Sequence, residues 1–284
     1  MTRRFELHEF CLGGFLLVMT VWLFAARGIA EPLAWLFGGQ LAGTLALAAW
    51  ASRKPNSAAR WRCRLAWCAI VINVSYVAMR AAVPAVHPVS FDSHLSNADI
   101  RLLGAPIALI TKPITRAWLT EILNFCYFIF YPWLVSVWVR FSFRDAATIR
   151  RLCAGVFTIY GIGFFGYLLT PAAGPQFFAD LAPVLNFPLE GGFFTRLQNG
   201  IVESGCNRVD AFPSLHCAVS AFLLWFDWHH ARRAFFVMLA PCIGLWFSTV
   251  YLRHHYLVDI FAGFTLTAAT IAAIRLWEKN RTSS

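Results

Sequence analysis

Two histidines and an aspartate lie close together in the stretch "YLRHHYLVDIFAG" (251–263). On a helix, His255 and Asp259 share one face because they are four residues apart. The carboxylate can then accept the Nδ1 proton and leave Nε2 free as a nucleophile or base. His254 is rotated off the face of Asp259, so we predict that His255 is the reactive histidine. The alternative is a capping or interfacial histidine pair.

A second polar stretch, "DAFPSLH" (210–216), resembles a helix start. We place Pro213 in the first helical turn, where its missing N–H is no loss. The backbone N–H groups that follow, together with the helix dipole, favour an anion. Ser214 adds a hydroxyl, and His216 could protonate a leaving oxygen. The alternative is an ordinary capped helix start with one solvated histidine.

Together, the two stretches match phosphoryl transfer through a phosphohistidine. His255 would be the nucleophile, Asp259 its orienter and His216 the acid. Acyl transfer is less favoured, because no Ser or Cys lies in a GxSxG setting. The spacing of Ser214 and His216 at a helix start is also poor for a catalytic triad.

The composition indicates that these residues sit in an integral membrane protein. The 284 residues are 59% hydrophobic and 13% charged, and include 27 Phe and 12 Trp, whereas soluble domains carry about 25% charged residues. The net charge of +10 comes from short basic clusters between apolar runs, which favours orientation signals over nucleic-acid binding. The eight cysteines form no CxxC pair, so we predict no metal site, no disulfide framework and no cofactor.

We predict an all-α, polytopic membrane helix bundle of about eight transmembrane helices, each near the roughly 20 residues that cross a bilayer. The first run is expected to be an anchor rather than a cleaved signal peptide. The positive-inside rule places both termini in the cytoplasm, since 16 of the 24 Lys and Arg residues then lie on that side. Both motifs then open on the outer face. The predicted runs are about 10–26, 32–51, 62–83, 118–139, 149–170, 212–228, 234–251 and 255–276.

"PSLH" followed about 40 residues later by "HHYLVD" resembles the type-2 phosphatidic acid phosphatase superfamily, and most closely its inositol phosphorylceramide synthase branch. The stretch "YLLTPAAGPQ" (167–176) is similar to a Pro/Gly block of that family. The resemblance implies a six-helix catalytic core and the same roles for His216, His255 and Asp259. We therefore divide the chain into N-terminal transmembrane helices (1–83) and a catalytic transmembrane domain (84–284).

The chain departs from the phosphatase branch of that family at its phosphate-binding cations. No KxxxxxxRP motif is present, and the nearest block ends in Gln176. Thr249 follows Ser248 where the family's third motif has Arg. We predict that other residues bind the substrate, first Arg208 and then Arg253, with Ser214, Gln176 and Lys112 as further candidates. For the cations, the alternative is snorkelling to lipid headgroups.

These departures favour a phosphotransferase that moves a phospho-headgroup, such as inositol phosphate, from a phospholipid donor to a lipid alcohol acceptor. A lipid phosphate phosphatase is the main alternative. A channel or transporter is disfavoured, because the charged groups gather at one surface. A zinc enzyme using His216, His254, His255 and Asp259 is a further alternative. We expect a bacterial inner-membrane location.

Two outer connections could also contact the substrate. In the segment 84–117, Asp92, His94 and Asp99 could touch a polar headgroup, although a solvated loop is the simpler interpretation. The aromatic and Gly-rich segment 183–200 would suit a lid over the site, with a plain interfacial loop as the alternative.

Overall fold

The computed structural model describes residues 5–54 and 57–282, and these residues form helices and no strand. The all-α prediction is therefore confirmed. The α-helices in this part of the chain are α1 (Leu7–Arg27), α2 (Pro32–Ser52), α3 (Ala58–Val86), α4 (Asp92–Leu103), α5 (Ile107–Thr111), α6 (Ala117–Phe128), α7 (Phe130–Ser142), α8 (Ala146–Leu169), α9 (Phe193–Gly205), α10 (Leu215–His230), α11 (Arg232–Tyr251) and α12 (Leu257–Thr282).

Seven helices among the described residues are long and apolar enough to cross a membrane, with α6 and α7 together forming one of them. The eighth predicted span, 212–228, corresponds to α10, which has only 16 residues. At about 1.5 Å per residue such a helix rises about 24 Å, short of a hydrocarbon core about 30 Å thick. The helix is short because residues 210–214 adopt a non-helical conformation before it. The orientation of the termini stays a prediction.

The helices group into two compact units that interleave along the chain. One unit holds α1, α2, α3, α8 and the C-terminal part of α12. The other holds α4 to α7, α9 to α11 and the N-terminal part of α12, and it contains both polar motifs. The predicted domain boundary at residues 83–84 stays a prediction.

Candidate active site

The two histidines of the second motif lie in a tight turn between α11 and α12. The carbonyl of Thr249 accepts the backbone N–H groups of both His254 and His255, each at 3.0 Å. The turn requires Arg253 to adopt a left-handed conformation with φ of 66°. These constraints place the two imidazoles next to each other at the end of α11.

The ring of His255 is buried, and its Nδ1 has two acceptors nearby. The carbonyl of Ala211 lies 2.8 Å from Nδ1, and Oδ2 of Asp259 lies 3.5 Å away. A carbonyl can only accept, so Nδ1 carries a proton and Nε2 of the neutral ring is the free nitrogen. The predicted pairing with Asp259 is therefore present, but the backbone of the first motif provides the shorter contact.

The carboxylate of Asp259 is fully buried and helps to shape the same turn. Its Oδ2 accepts the backbone N–H of Tyr256 at 2.8 Å. Its Oδ1 is buried and has no hydrogen-bond partner within residues 5–54 and 57–282. A buried carboxylate with spare acceptor capacity can balance positive charge that develops beside it during a reaction.

Ser214, rather than Pro213, marks the start of α10. Its side chain caps the helix by accepting the N–H of Cys217 at 3.4 Å, and Leu215 is the first helical residue. The prediction that Pro213 lies in the first turn was therefore wrong, because the serine hydroxyl caps the helix one residue later. Since its oxygen is buried and used as a cap, Ser214 contributes to the site mainly by positioning the helix end.

The start of α10 leaves backbone N–H groups available, and anion binding there stays a prediction. The backbone N–H groups of Leu215 and His216, in the first turn, have no acceptor among the described residues. The start is also fixed to the other motif, because the N–H of Ser214 donates to the carbonyl of Asp259 at 3.1 Å. Gly263 allows this close approach, since a Cβ there would lie 2.6 Å from the carbonyl oxygen of Ser214.

His216 faces His255 across the site, with ring centroids 5.9 Å apart. The hydroxyl of Tyr127, on α6, lies 3.2 Å from Nδ1 and 3.1 Å from Nε2 of His216. The sequence analysis missed Tyr127, because it lies in an aromatic run of α6 in which no spacing distinguishes it. The three groups that we predicted to act together are thus brought together, and a tyrosine joins them.

His254 lies beside this group but is held neutral. Its ring packs edge-on against Tyr127 at 4.9 Å, and its buried Nε2 has no hydrogen-bond partner in the described part of the chain. Burial, together with the neighbouring His255, lowers the pKa of His254 to about 3. The ring therefore adds no positive charge to the site at neutral pH.

Two acidic residues of α4 accept hydrogen bonds from the backbone segments that form the site. Asp92 accepts the N–H groups of Ala173 at 2.8 Å and Gly174 at 2.9 Å, and the hydroxyl of Tyr256 at 2.8 Å. Asp92 is 2% exposed. Its carboxylate is therefore used inside the protein, and the idea that it touches a headgroup was wrong.

Asp99 has a similar structural role at the start of α12. It accepts the N–H groups of Leu257 at 2.8 Å and Val258 at 3.1 Å, so it caps that helix from α4. It is buried as well, and the headgroup suggestion was wrong here too. His94 is exposed on α4, and a contact between His94 and substrate stays a prediction.

The Pro/Gly block fits between the two motifs. Gly174 has φ of 90°, and a Cβ at this position would overlap the carbonyl oxygen of His254. The N–H of Gln176 donates to the carbonyl of Arg253, and the N–H of Ala211 to that of Ala172, both at 3.0 Å. The block therefore links the backbones that carry the reactive histidines.

Arg208 is a predicted phosphate ligand on the protein surface. It is exposed, and its guanidinium carbon lies 4.7 Å from the centre of the Phe177 ring. The partly buried Gln176 is the neighbour of Phe177 in sequence. Phosphate binding by either residue stays a prediction.

Arg253 is engaged with the connection that follows the Pro/Gly block. Its two terminal nitrogens donate to the carbonyls of Leu185 at 3.1 Å and Phe187 at 2.8 Å. The exposed Lys112 lies over the ring of Phe187, with Nζ 4.9 Å from its centre. Arg253 thus holds the segment that we suggested as a lid, and its role as a phosphate ligand would require it to leave these carbonyls.

Comparison with known proteins identifies the family. Residues 93–273 match the sequence profile of the PAP2 superfamily. A phosphoinositol dihydroceramide synthase of Bacteroides thetaiotaomicron is 27% identical over 154 residues, which is 48% of this chain and 50% of that protein. An inositol phosphorylceramide synthase of Candida albicans is 26% identical over 225 residues, which is 70% of this chain and 43% of that protein.

A PA-phosphatase related-family protein of Dictyostelium discoideum is 28% identical over 170 residues, covering 52% of this chain and 30% of that protein. The matches thus span half or less of the length of these relatives. No solved structure is significantly similar to the chain. The profile match covers more than half of the chain, so the protein belongs to the PAP2 superfamily, as the two motifs predicted.

Proposed function

We propose that this member of the PAP2 superfamily is a membrane phosphotransferase. It would move a phospho-headgroup, such as inositol phosphate, from a phospholipid to a lipid alcohol through a phosphohistidine on His255. The observation that carries this proposal is the state of the His255 ring. Its Nδ1 proton is held by the carbonyl of Ala211 at 2.8 Å, which leaves Nε2 as the free nitrogen of the neutral ring.

In the first half-reaction, the lone pair of His255 Nε2 forms a bond to phosphorus. The bond between phosphorus and the diacylglycerol oxygen breaks, and His216, which enters this step as the imidazolium, gives a proton to that oxygen and becomes neutral. The imidazole now bears a positive charge, which the buried carboxylate of Asp259 stabilises from 3.5 Å. The headgroup stays on phosphorus and is bound to the enzyme.

In the second half-reaction, the hydroxyl of the acceptor lipid gives its proton to His216. Its oxygen bonds to phosphorus, the N–P bond breaks, and His255 returns to its neutral form. Water in place of the lipid hydroxyl would release the headgroup phosphate. A transferase and a phosphatase therefore differ only in what attacks the phosphohistidine. No step in this scheme uses a metal ion.

Two observations support transfer over hydrolysis. The phosphatase branch places cations where this chain has Gln176 and Thr249, and Thr249 is buried with its hydroxyl donating to the carbonyl of Trp246. Two of the relatives are named as a phosphoinositol dihydroceramide synthase and an inositol phosphorylceramide synthase. The alternative, a lipid phosphate phosphatase, is supported by the name of the Dictyostelium relative.

For substrate binding we propose the N–H groups at the start of α10 together with Arg208, which is exposed and stacked on Phe177. Lys112, Gln176 and Arg253 would complete the surroundings of the headgroup. We further propose that the termini are cytoplasmic, that the site opens on the outer face, and that the membrane is a bacterial inner membrane.

Product analysis tests the proposal. The purified full chain in lipid nanodiscs is incubated with phosphatidylinositol labelled at phosphorus and with ceramide, with dihydroceramide, or with no acceptor, before and after EDTA treatment. A new labelled lipid that appears only with an acceptor supports a transferase, whereas labelled inositol phosphate made equally in all samples supports the phosphatase. His255→Ala is expected to make neither product. Loss of activity with EDTA would instead favour the metal-dependent alternative.

A further inference from the structure

A second cluster of buried polar side chains joins α1 to α3 in the other unit. It consists of His8, Glu9 and Cys68, which are 2%, 3% and 1% exposed. One potential ligand atom from each residue lies within 4.8 Å of the other two. The proposed reaction uses none of these residues.

His8 is the member of the cluster that most needs an explanation. Both ring nitrogens are buried and have no hydrogen-bond partner in the part of the chain that the structure describes. The ring packs edge-on against Phe157 of α8 at 5.5 Å, which offers no acceptor to an imidazole N–H. Nearly all buried polar groups in native proteins have a partner, so this ring points to one that the described residues do not provide.

The Glu9 carboxylate is held in place by hydrogen bonds, as metal-binding carboxylates usually are. Arg64 donates to both of its oxygens, and the backbone N–H of Glu6 donates to Oε2 at 2.8 Å. A carboxylate oxygen has more than one acceptor position, so Glu9 can bind a cation while Arg64 holds it. Such outer partners commonly fix the orientation of metal ligands.

We propose that His8, Glu9 and Cys68 form a binding site for one divalent, borderline-soft cation such as Zn²⁺. Nitrogen, oxygen and sulfur donors all bind zinc, with bonds of about 2.0–2.3 Å, so the three atoms, which lie within 4.8 Å of one another, would draw closer together around the ion. On binding, the Cys68 thiol releases its proton to solvent and its sulfur bonds to the metal. We predicted no metal site, because the cysteines form no CxxC pair, and no spacing motif joins Cys68 to the distant His8.

Cobalt(II) is a suitable probe, because a cysteine thiolate bound to it gives a charge-transfer band in the near ultraviolet. The active-site histidines can bind cobalt without a thiolate, so this band reports on the cluster and not on catalysis. Full-length protein in nanodiscs is stripped with EDTA, dialysed and titrated with Co²⁺, and then with Zn²⁺. The variants are His8→Leu, Cys68→Ala and, as a control, Cys153→Ala, which removes another fully buried thiol of the same unit.

We expect one Co²⁺ per chain with a thiolate band that Zn²⁺ abolishes. Cys68→Ala should lose the band while remaining helical by circular dichroism, and His8→Leu should weaken binding at least about tenfold. Cys153→Ala should bind like the wild type. The proposal is overturned if the wild type shows no stoichiometric thiolate band, or if Cys68→Ala keeps it.

Discussion

The substitution Asp259→Asn removes a charge next to the nucleophile and changes little else. The carboxylate oxygen lies 3.5 Å from Nδ1 of His255. At an effective dielectric constant of about 20, Coulomb's law gives about 5 kcal/mol between this carboxylate and a positively charged ring. The tautomer should survive, because the carbonyl of Ala211 still holds the Nδ1 proton at 2.8 Å. We therefore expect the rate of headgroup transfer to fall about 10³-fold.

The assay is the initial rate of labelled-lipid formation per folded molecule. Asp227→Asn is the matched control, because Asp227 is also a fully buried acid but is paired with Arg140 at 3.1 Å, away from the histidines. The control should keep a rate close to that of the wild type even if its thermal stability falls. A loss of less than about tenfold in Asp259→Asn would refute the idea that this charge stabilises the imidazolium.

Three further substitutions test the surroundings of the histidines. Tyr127→Phe removes a hydrogen bond to the acid histidine worth about 1 kcal/mol, so kcat should fall about fivefold. Tyr131→Phe is the control, because the Tyr131 ring also packs against His216, at 6.3 Å, but its hydroxyl is hydrogen-bonded to Gln198, so kcat should be unchanged. Equal effects would contradict the assignment. Gly174→Ala places a methyl group against a carbonyl oxygen at a left-handed backbone position, so the unfolding free energy should fall by about 1–3 kcal/mol. Gly200→Ala is the control, because a methyl group there meets nothing within 4 Å, and thermal unfolding should show little change. The pKa of His254 is about 3 in the folded protein and 6.5 in the unfolded chain. The stability that the neutral ring contributes is therefore fully present above pH 6.5 and is lost as the pH falls toward 3. His254→Gln should therefore reduce the loss of stability between pH 7 and pH 5 by about 2 kcal/mol, and an unchanged loss in denaturant titrations would contradict this.

The reactive groups could be predicted because their chemistry is local in sequence. The four-residue spacing brings His255 and Asp259 within 3.5 Å of each other, although His255 lies in the turn before α12 and not on the helix. The stretch before α10 predicts a helix start, and His216 lies in its first turn. Both predictions needed only local sequence and the geometry of helix ends.

The supporting groups could not be predicted, because each acts over a long distance in the chain. The carbonyl that holds the His255 ring belongs to Ala211, and a backbone carbonyl has no signature in a sequence. Asp92 and Asp99 looked like loop residues facing solvent, but they bind N–H groups about 80 and 160 residues further along the chain. Only the folded structure shows that both carboxylates accept hydrogen bonds from backbone groups around the site.

The start of α10 shows a smaller error of the same kind. Proline is favourable in a first helical turn, yet Ser214 provides the cap, so the helix begins one residue after it. The serine hydroxyl decided where this helix begins. Phosphate binding by Arg253 stays a prediction, and two carbonyls of a distant connection accept hydrogen bonds from its terminal nitrogens in this structure.

Trapping the covalent intermediate tests the central claim most directly. Wild type and His255→Ala are mixed with phosphatidylinositol labelled at phosphorus in the absence of acceptor, quenched in alkali, and separated from lipid. The account predicts label on the wild-type protein that is stable to alkali, labile to acid, absent from His255→Ala, and discharged when acceptor lipid is added before the quench. Product formation by the wild type with no labelled protein, or equal labelling of His255→Ala, would contradict nucleophilic attack by His255.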